Sequence, residues 1–174
     1  MRILLFCLVI AFFTSCNINE QEKVKIKTYF DLETYFKKEA KHLAEKKGPI
    51  DKTVIINGKA EQKIISINNW EKELGSFIDA DINKASWRGS FQFLTIGDAK
   101  IYTSQSEKIP VKKVEVREKD GKVISIKIFV HNINDLYISQ DSLSYFPDSL
   151  YRIKKSQKIK LMEEKRYEIL GRIK

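Results

Sequence analysis

The spacing of apolar residues changes once along the chain, and the change separates two kinds of structure. Between Tyr29 and Lys47, the residues Leu32, Tyr35, Phe36, Ala40, Leu43 and Ala44 recur at intervals of three or four, the stripe of an amphipathic helix. Asp31 stands where an N-cap is wanted. Asp31 and Glu33 suit the positive end of the helix dipole, and Lys46 and Lys47 suit the negative end. Gly48-Pro49 stops the helix, the glycine by permitting a left-handed cap and the proline by being unable to continue it. The runs Thr53 to Asn57 and Lys59 to Ile67 then meet at Asn57-Gly58, a hairpin signal because both residues accept positive φ. A second amphipathic helix is predicted from Asn68, which fits a capping box with Glu71. Trp70, Leu74, Phe77 and Ile78 make its buried stripe, and it fades near Asp81.

From Ser90 onward the period is two. Strands are predicted over Phe91 to Ile96, Lys100 to Ser104, Val111 to Lys119, Lys122 to His131, Leu136 to Tyr145, Tyr151 to Met162 and Arg166 to Ile173. Gly97-Asp98, Asp120-Gly121 and Pro147-Asp148 mark turns, and Val114 and Val116 are expected to face Ile124, Ile126 and Ile128. The fold class is α+β: two N-terminal amphipathic helices packed on a curved antiparallel meander sheet of roughly seven to nine strands. One face of such a sheet takes the helices and the other is left for solvent or ligand.

The first 16 residues follow neither period. Arg2 precedes an apolar run from Ile3 to Phe13, and Thr14-Ser15 leads into Cys16, the three parts of a secretory signal peptide. The run is shorter than the roughly 20 residues a spanning helix needs. A cysteine right after small residues resembles the lipobox of bacterial lipoproteins, although Phe13 stands where leucine is most usual. That resemblance implies cleavage before Cys16 and attachment of a palmitate-type lipid there. More than one acyl chain, at about 0.8 kcal/mol per buried CH₂, anchors stably. The division that follows is 1–15 signal peptide, 16–27 lipidated tether and 28–174 a single α+β domain. Asn17, where the enterobacterial sorting rule places aspartate for inner-membrane retention, implies an outer-membrane location facing the periplasm or the cell surface. Glu20 and Glu22 resemble the acidic export tags of Bacteroidetes surface lipoproteins.

Composition narrows the chemistry. The chain is 43% hydrophobic, which is globular, and carries a net charge of +9. Cys7 falls in the signal and Cys16 takes the lipid, so no thiol remains for a disulfide, a zinc site or a nucleophile. In an exported, anchored chain the positive charge points to anionic lipid or plain solvent, not to nucleic acid. Under strict alternation Arg152, Lys154, Lys158 and Lys160 share one strand face, opposite Ile153 and Leu161, and form a candidate anionic-lipid face. The competing account is a solvated face whose lysines discourage edge-to-edge pairing.

No catalytic residue, metal ligand or cofactor site is assigned. His42 and His131 have no partner at ligand spacing. Asp79-x-Asp81-x-Asn83 begins like a calcium loop, but Lys84 replaces the glycine and Ser90 the acidic twelfth ligand, so solvated turn residues are expected. Asp141 and Asp148 lie near the Pro147 turn. No serine sits in a G-x-S-x-G or S-x-x-K motif. Trp70 is expected in the core, Trp87-Arg88-Gly89 as a groove lining, and Phe91 and Phe93 as sheet core.

The domain resembles the small envelope lipoproteins common in Bacteroidetes. The expected function is a membrane-anchored, non-enzymatic binding or structural module whose partners are the membrane, anionic lipid or another envelope protein. The alternative is a lipid or lipoprotein carrier: in element type the chain resembles half-barrel lipoprotein carriers, with an apolar groove between sheet and helices. A hydrolase using Asp79 or Asp81 is the third reading. A filled core indicates a scaffold and an open apolar groove a carrier.

Overall fold

A computed structural model describes residues 28–174; the signal peptide, Cys16 and the tether through Lys27 lie outside the described residues. The first helix, α1 (Leu32–Lys46), begins where the sequence places it. The Asp31 carboxylate accepts the Thr34 N–H at 3.0 Å, a cap that contributes about 1 kcal/mol. Its end differs from expectation. Lys47, not Gly48, takes the left-handed conformation, with φ of 50°. Gly48 has a different feature: a Cβ there would lie 3.0 Å from a Lys174 backbone oxygen, a tight approach.

The hairpin β1 (Ile50–Ile56) and β2 (Lys59–Ile65) turns over Asn57-Gly58, both at positive φ. The second helix is broken in two, α2 (Trp70–Glu73) and α3 (Gly75–Asp79). Its cap is Asn69 rather than Asn68, the Asn69 side chain accepting the Lys72 N–H at 2.8 Å. The break falls at Leu74-Gly75, and glycine weakens a helix at that point. Helices and strands therefore alternate at the start: α1, hairpin, α2 and α3. A 3₁₀ turn (Ala85–Trp87) leads into β3 (Gln92–Ile96), β4 (Ala99–Thr103), β5 (Val111–Lys119), β6 (Lys122–Ile133), β7 (Tyr137–Phe146), β8 (Leu150–Ile159) and β9 (Lys165–Ile173).

All nine strands form one antiparallel sheet in the order β2-β1-β9-β8-β7-β6-β5-β4-β3. The architecture is α+β, as the sequence pattern implies. β3 to β9 run as a meander, and the early hairpin joins at β9, leaving β2 and β3 as the two edges. Directly opposed residues share a face, so the registers trace rows across the sheet. One row runs Tyr102, Val114, Ile128, Leu143, Ile153, Ile169; the next runs Lys100, Val116, Ile126, Tyr145, Tyr151, Gly171. The core is built on these rows. α1 contributes Leu32, Phe36, Ala40 and Leu43, and α3 contributes Phe77.

Aromatic side chains fill the space between. Phe36 lies 4.8 Å from Phe77 and 5.1 Å from Tyr145, and Trp70 lies 6.2 Å from Tyr151. Such pairs contribute about 0.5–1.5 kcal/mol each beyond the area they bury. The Tyr145 hydroxyl donates to Glu39 of α1 at 2.7 Å, and the Tyr151 hydroxyl donates to Glu73 of α2 at 2.5 Å. Burial first, and the adjacent glutamate second, push both tyrosines up from their ordinary value. Two expectations are corrected. A register shift between Arg117 and Glu118 displaces Ile124 from the row facing Val114 and Val116, and it is exposed. Phe91 is buried as expected, but Phe93 is 56% exposed because β3 is an edge strand.

Gly171 sits opposite Tyr151, and its missing side chain lets the Tyr151 ring lie across β9 toward Glu73. A Cβ at Gly171 would overlap that ring, whereas one at Gly75 meets nothing within 4 Å. Gly171→Ala should therefore destabilise by about 1–3 kcal/mol, the usual cost of overpacking. Gly75→Ala should stabilise by about 0.5–1 kcal/mol through helix propensity. Urea unfolding of the two variants checks this, and equal midpoints would refute the packing account.

Candidate functional site

The helices cover only part of the face they pack on. Beyond the row that holds Leu143 and Ile153, the same face carries Val130, Asp141, Lys155 and Tyr167. The row after that carries Asn132, Ser139, Gln157 and Lys165. The face thus passes from apolar to polar along the length of β6 to β9. At this boundary lies a groove of about 730 Å³, a size in the range of small-molecule sites.

β8 and β9 supply the groove floor with Ile153, Lys155, Tyr167 and Ile169, and β1 adds Lys52. The segment joining β2 to α2 supplies Ile67, Asn68 and Asn69, and α2 adds Lys72 and Glu73. Ile153 and Ile169 are direct cross-strand partners, which places two branched apolar side chains side by side on the floor. Three ammonium groups surround it. Lys52 Nζ is 2.6 Å from Glu73 Oε1, and both side chains are largely buried. Lys155 Nζ is 3.1 Å from Asp141 Oδ2. Lys72 is exposed and makes no ion pair among the described residues.

Asp141 is the odd group. Its Oδ1 is buried with no hydrogen-bond partner among the described residues. Burial raises its pKa above the ordinary carboxylate value, and the opposing pull of Lys155 does not prevail. Chemically, the groove offers a partly apolar floor to an aliphatic chain and the Lys72 ammonium to an anion.

The sequence-predicted basic face is found on the opposite side of the sheet. Arg152, Lys154 and Lys158 alternate along β8 on that side, Lys154 opposing Ser142 and Glu168, and Lys158 opposing Ile138. Glu168 takes both Arg152 at 3.3 Å and Lys154 at 3.6 Å. Lys160 lies past the end of β8, where its N–H donates to the Leu136 carbonyl at 2.9 Å. A trough of about 810 Å³ takes Ile55, Phe129, Ser142, Lys154 and Arg166 from that side, and Asp141, Lys155 and Tyr167 line it as well. Of the four basic residues, only Lys154 lines it. Acids and bases are interleaved there: Arg166 pairs with Glu164 at 2.8 Å, and Ser156 also donates to Glu164.

The remaining candidates do not meet in either cavity. Asp81 is buried, not a solvated turn residue, and accepts the Asn83 N–H at 3.2 Å. Asn83 in turn accepts the Tyr29 N–H at 2.9 Å and donates to the Phe30 carbonyl at 3.1 Å, pinning the chain just before α1. Asp79 is exposed, and its carbonyl accepts Lys84 Nζ at 2.9 Å. Asp148 holds His42 Nε2 and Lys46 Nζ, each at 3.1 Å, which ties the β7–β8 turn to α1. Lys46 first and then His42 hold the Asp148 carboxyl below its ordinary value. Trp87 is partly buried with Lys84 4.4 Å above its ring, and it lines neither cavity. Among the described residues, no group of three or more His, Cys, Asp and Glu side chains is placed to hold a metal ion.

Sequence reasoning missed the groove because its residues come from distant positions. Ile153 and Ile169 meet only through the β8–β9 register, and Lys52 meets Glu73 only when the hairpin joins β9. The available signal was the shared parity of Ile153 with Lys155 and of Tyr167 with Ile169. Comparison of the chain with family models, with curated proteins and with solved structures finds no match. The class is thus defined by the fold and the groove alone: a single nine-stranded antiparallel sheet with helices on one face and an open groove at their margin.

Because the Asp141 pKa is raised in the folded state, the group favours folding at low pH, and that contribution is lost as pH rises past its ordinary value of 3.8. Asp141→Asn should therefore be more stable than the parent at pH 7, with the advantage shrinking as pH falls toward 3.8 and gone below it. Urea midpoints across that range decide it. A variant less stable at pH 7 would show that the Lys155 pair outweighs the burial.

Proposed function

We propose that the protein is a lipid-anchored envelope lipoprotein of the outer membrane, acting as a non-enzymatic binding module for an anionic amphiphile. The observation that carries the reading is the groove beside α2, with isoleucines on its floor and Lys72 and Lys155 at its margin. An acyl chain would lie against Ile153 and Ile169, and a carboxylate or phosphate would meet the Lys72 ammonium, with Lys155 shared between the ligand and Asp141. A cation beside an apolar floor favours an amphiphile over a neutral lipid, since the anion would otherwise lose its hydration uncompensated. The reading takes the sheet as curved around the helices. The signal peptide and Cys16 supply the anchor, and the basic residues of β8 face anionic headgroups where they are not engaged by Glu168.

A carrier of lipids or lipoproteins is the second reading. The groove favours it too, since it opens between sheet and helices while the space under α1 is filled by Phe36, Phe77 and Tyr145. Transfer of bound lipid to acceptor vesicles separates a carrier from a static binder.

Two outcomes are expected. A fluorescent fatty acid should bind the purified mature chain carrying Cys16→Ser. Lys72→Glu with Lys155→Glu should weaken it about tenfold or more, about 1.4 kcal/mol. No binding, or equal binding by the variant, would refute the site. In cells, globomycin should leave the precursor uncleaved and Cys16→Ser should leave the membrane fraction. Retention there at the parent level would refute lipid anchoring.

A further inference from the structure

The two edges of the sheet are guarded unequally. β2 carries Lys59, Glu61 and Lys63, the charged residues that discourage strand addition. β3 reads Gln-Phe-Leu-Thr-Ile, with no charged residue, and every position is exposed. Phe93 and Leu94 are each 56% exposed and Ile96 is 58% exposed. β3 pairs only with β4, so the backbone N–H and C=O groups turned away from β4 meet no strand. The edge is held in place from behind. The Phe93 ring packs 5.1 Å from Tyr102, and the Phe91 N–H donates to the Tyr29 hydroxyl at 3.3 Å.

We propose that β3 is a strand-pairing site for a second copy of this chain, joined antiparallel about a two-fold axis through Leu94. A strand is the occupant that meets both needs of the edge: it satisfies the outward backbone groups and covers the apolar side chains. A lipid surface would cover the side chains but leave the backbone groups unpaired. The strand is complementary to itself. Leu94 meets Leu94, Phe93 of one copy meets Thr95 of the other, and Gln92 meets Ile96. An aromatic residue against a β-branched one is a favourable cross-strand pair, and nowhere do like charges oppose. The cation opposite Thr95, Lys100 on β4, is engaged by Glu118 at 2.6 Å. The product is one continuous sheet with the helices of both copies on the same face.

Five residues of edge bury far less than the roughly 800 Å² per partner of a standard interface. The pairing is therefore weak in dilute solution and forms when both copies are confined to one surface, which raises their effective concentration. For that confinement in the cell the inference rests on the proposed lipid anchor.

The test uses the absence of any other thiol in residues 17–174. The mature chain carrying Cys16→Ser and Leu94→Cys is tethered by an N-terminal histidine tag to nickel-chelating vesicles, then treated with a short thiol-reactive linker. This supplies confinement without lipidation, so its result stands whether or not Cys16 is lipidated. A cross-linked dimer is expected, at least tenfold more abundant than at equal concentration without vesicles. Phe93→Lys with Ile96→Lys in the same background should cut it at least tenfold, and Ile64→Cys on β2, in place of Leu94→Cys, should not cross-link. Cross-linking of Leu94→Cys no greater than that of Ile64→Cys would overturn the proposal. So would a Leu94→Cys adduct in whole cells that contains a different protein in place of the second copy.

Discussion

Tyr145 and Tyr151 lie side by side on β7 and β8, and the hydrogen bonds they donate set where two helices sit. Both rings are fully buried, so both hydroxyls need partners, and an unpaired one would cost about 1–3 kcal/mol. Glu39 answers one from α1 and Glu73 the other from α2. A glutamate on a short helix is a poor anchor when it is exposed. Here it is fixed because Glu73 also holds Lys52 of β1, so Tyr151, Glu73 and Lys52 tie β8, α2 and β1 together. Gly171 completes the arrangement by leaving room above β9 for the ring to pass. The early hairpin is thus attached twice: by backbone pairing with β9, and by Lys52 through the helix.

The groove follows from this clamp. Glu73 draws α2 onto the sheet at Tyr151, and beyond that point the cover thins: Ile153 is still buried and Ile169 only partly so. The next rows are Ile153 with Ile169 and Lys155 with Tyr167, where the apolar pattern gives way to polar residues. Asp141 lies in this transition. Its position on β7 shares a face with Leu143 and Tyr145, which are buried further along the strand, while Asp141 is only partly so. Its carboxylate is desolvated by the sheet and satisfied on one oxygen only.

Much of the fold was legible in the residues. The Asp31 cap, the Asn57-Gly58 hairpin and the alternation of β5 to β9 are local signals, and local signals survive folding. The misplaced details are those in which a tertiary contact decided between neighbours. Gly48 looks like a cap but makes a close approach to Lys174, and Lys47 takes the strained conformation instead. Phe93 looks like core because its neighbours alternate correctly, yet edge position depends on strand order. The order turned on β1 joining β9, a pairing between positions more than a hundred apart that no local pattern encodes. The candidate groove was illegible for the same reason: every wall comes from a different part of the chain.

The distribution of charge bears on which surface meets a ligand. A net charge of +9 suggests a broad basic face, and β8 taken alone would supply it. In the sheet, however, β9 lays Glu168 between Arg152 and Lys154, so one of their two charges is answered within the protein. Lys100, Lys113 and Arg117 are engaged by acids on β5 or by Asp98 in the same way. Exposed pairs of this kind add little stability, at most about 1 kcal/mol each, but they do lower the local potential. What counts for an anion is a cation not already answered and placed beside apolar surface. Lys72, at the margin of a groove floored by isoleucines, meets that condition, and Arg152 and Lys154, for all their number on β8, do not.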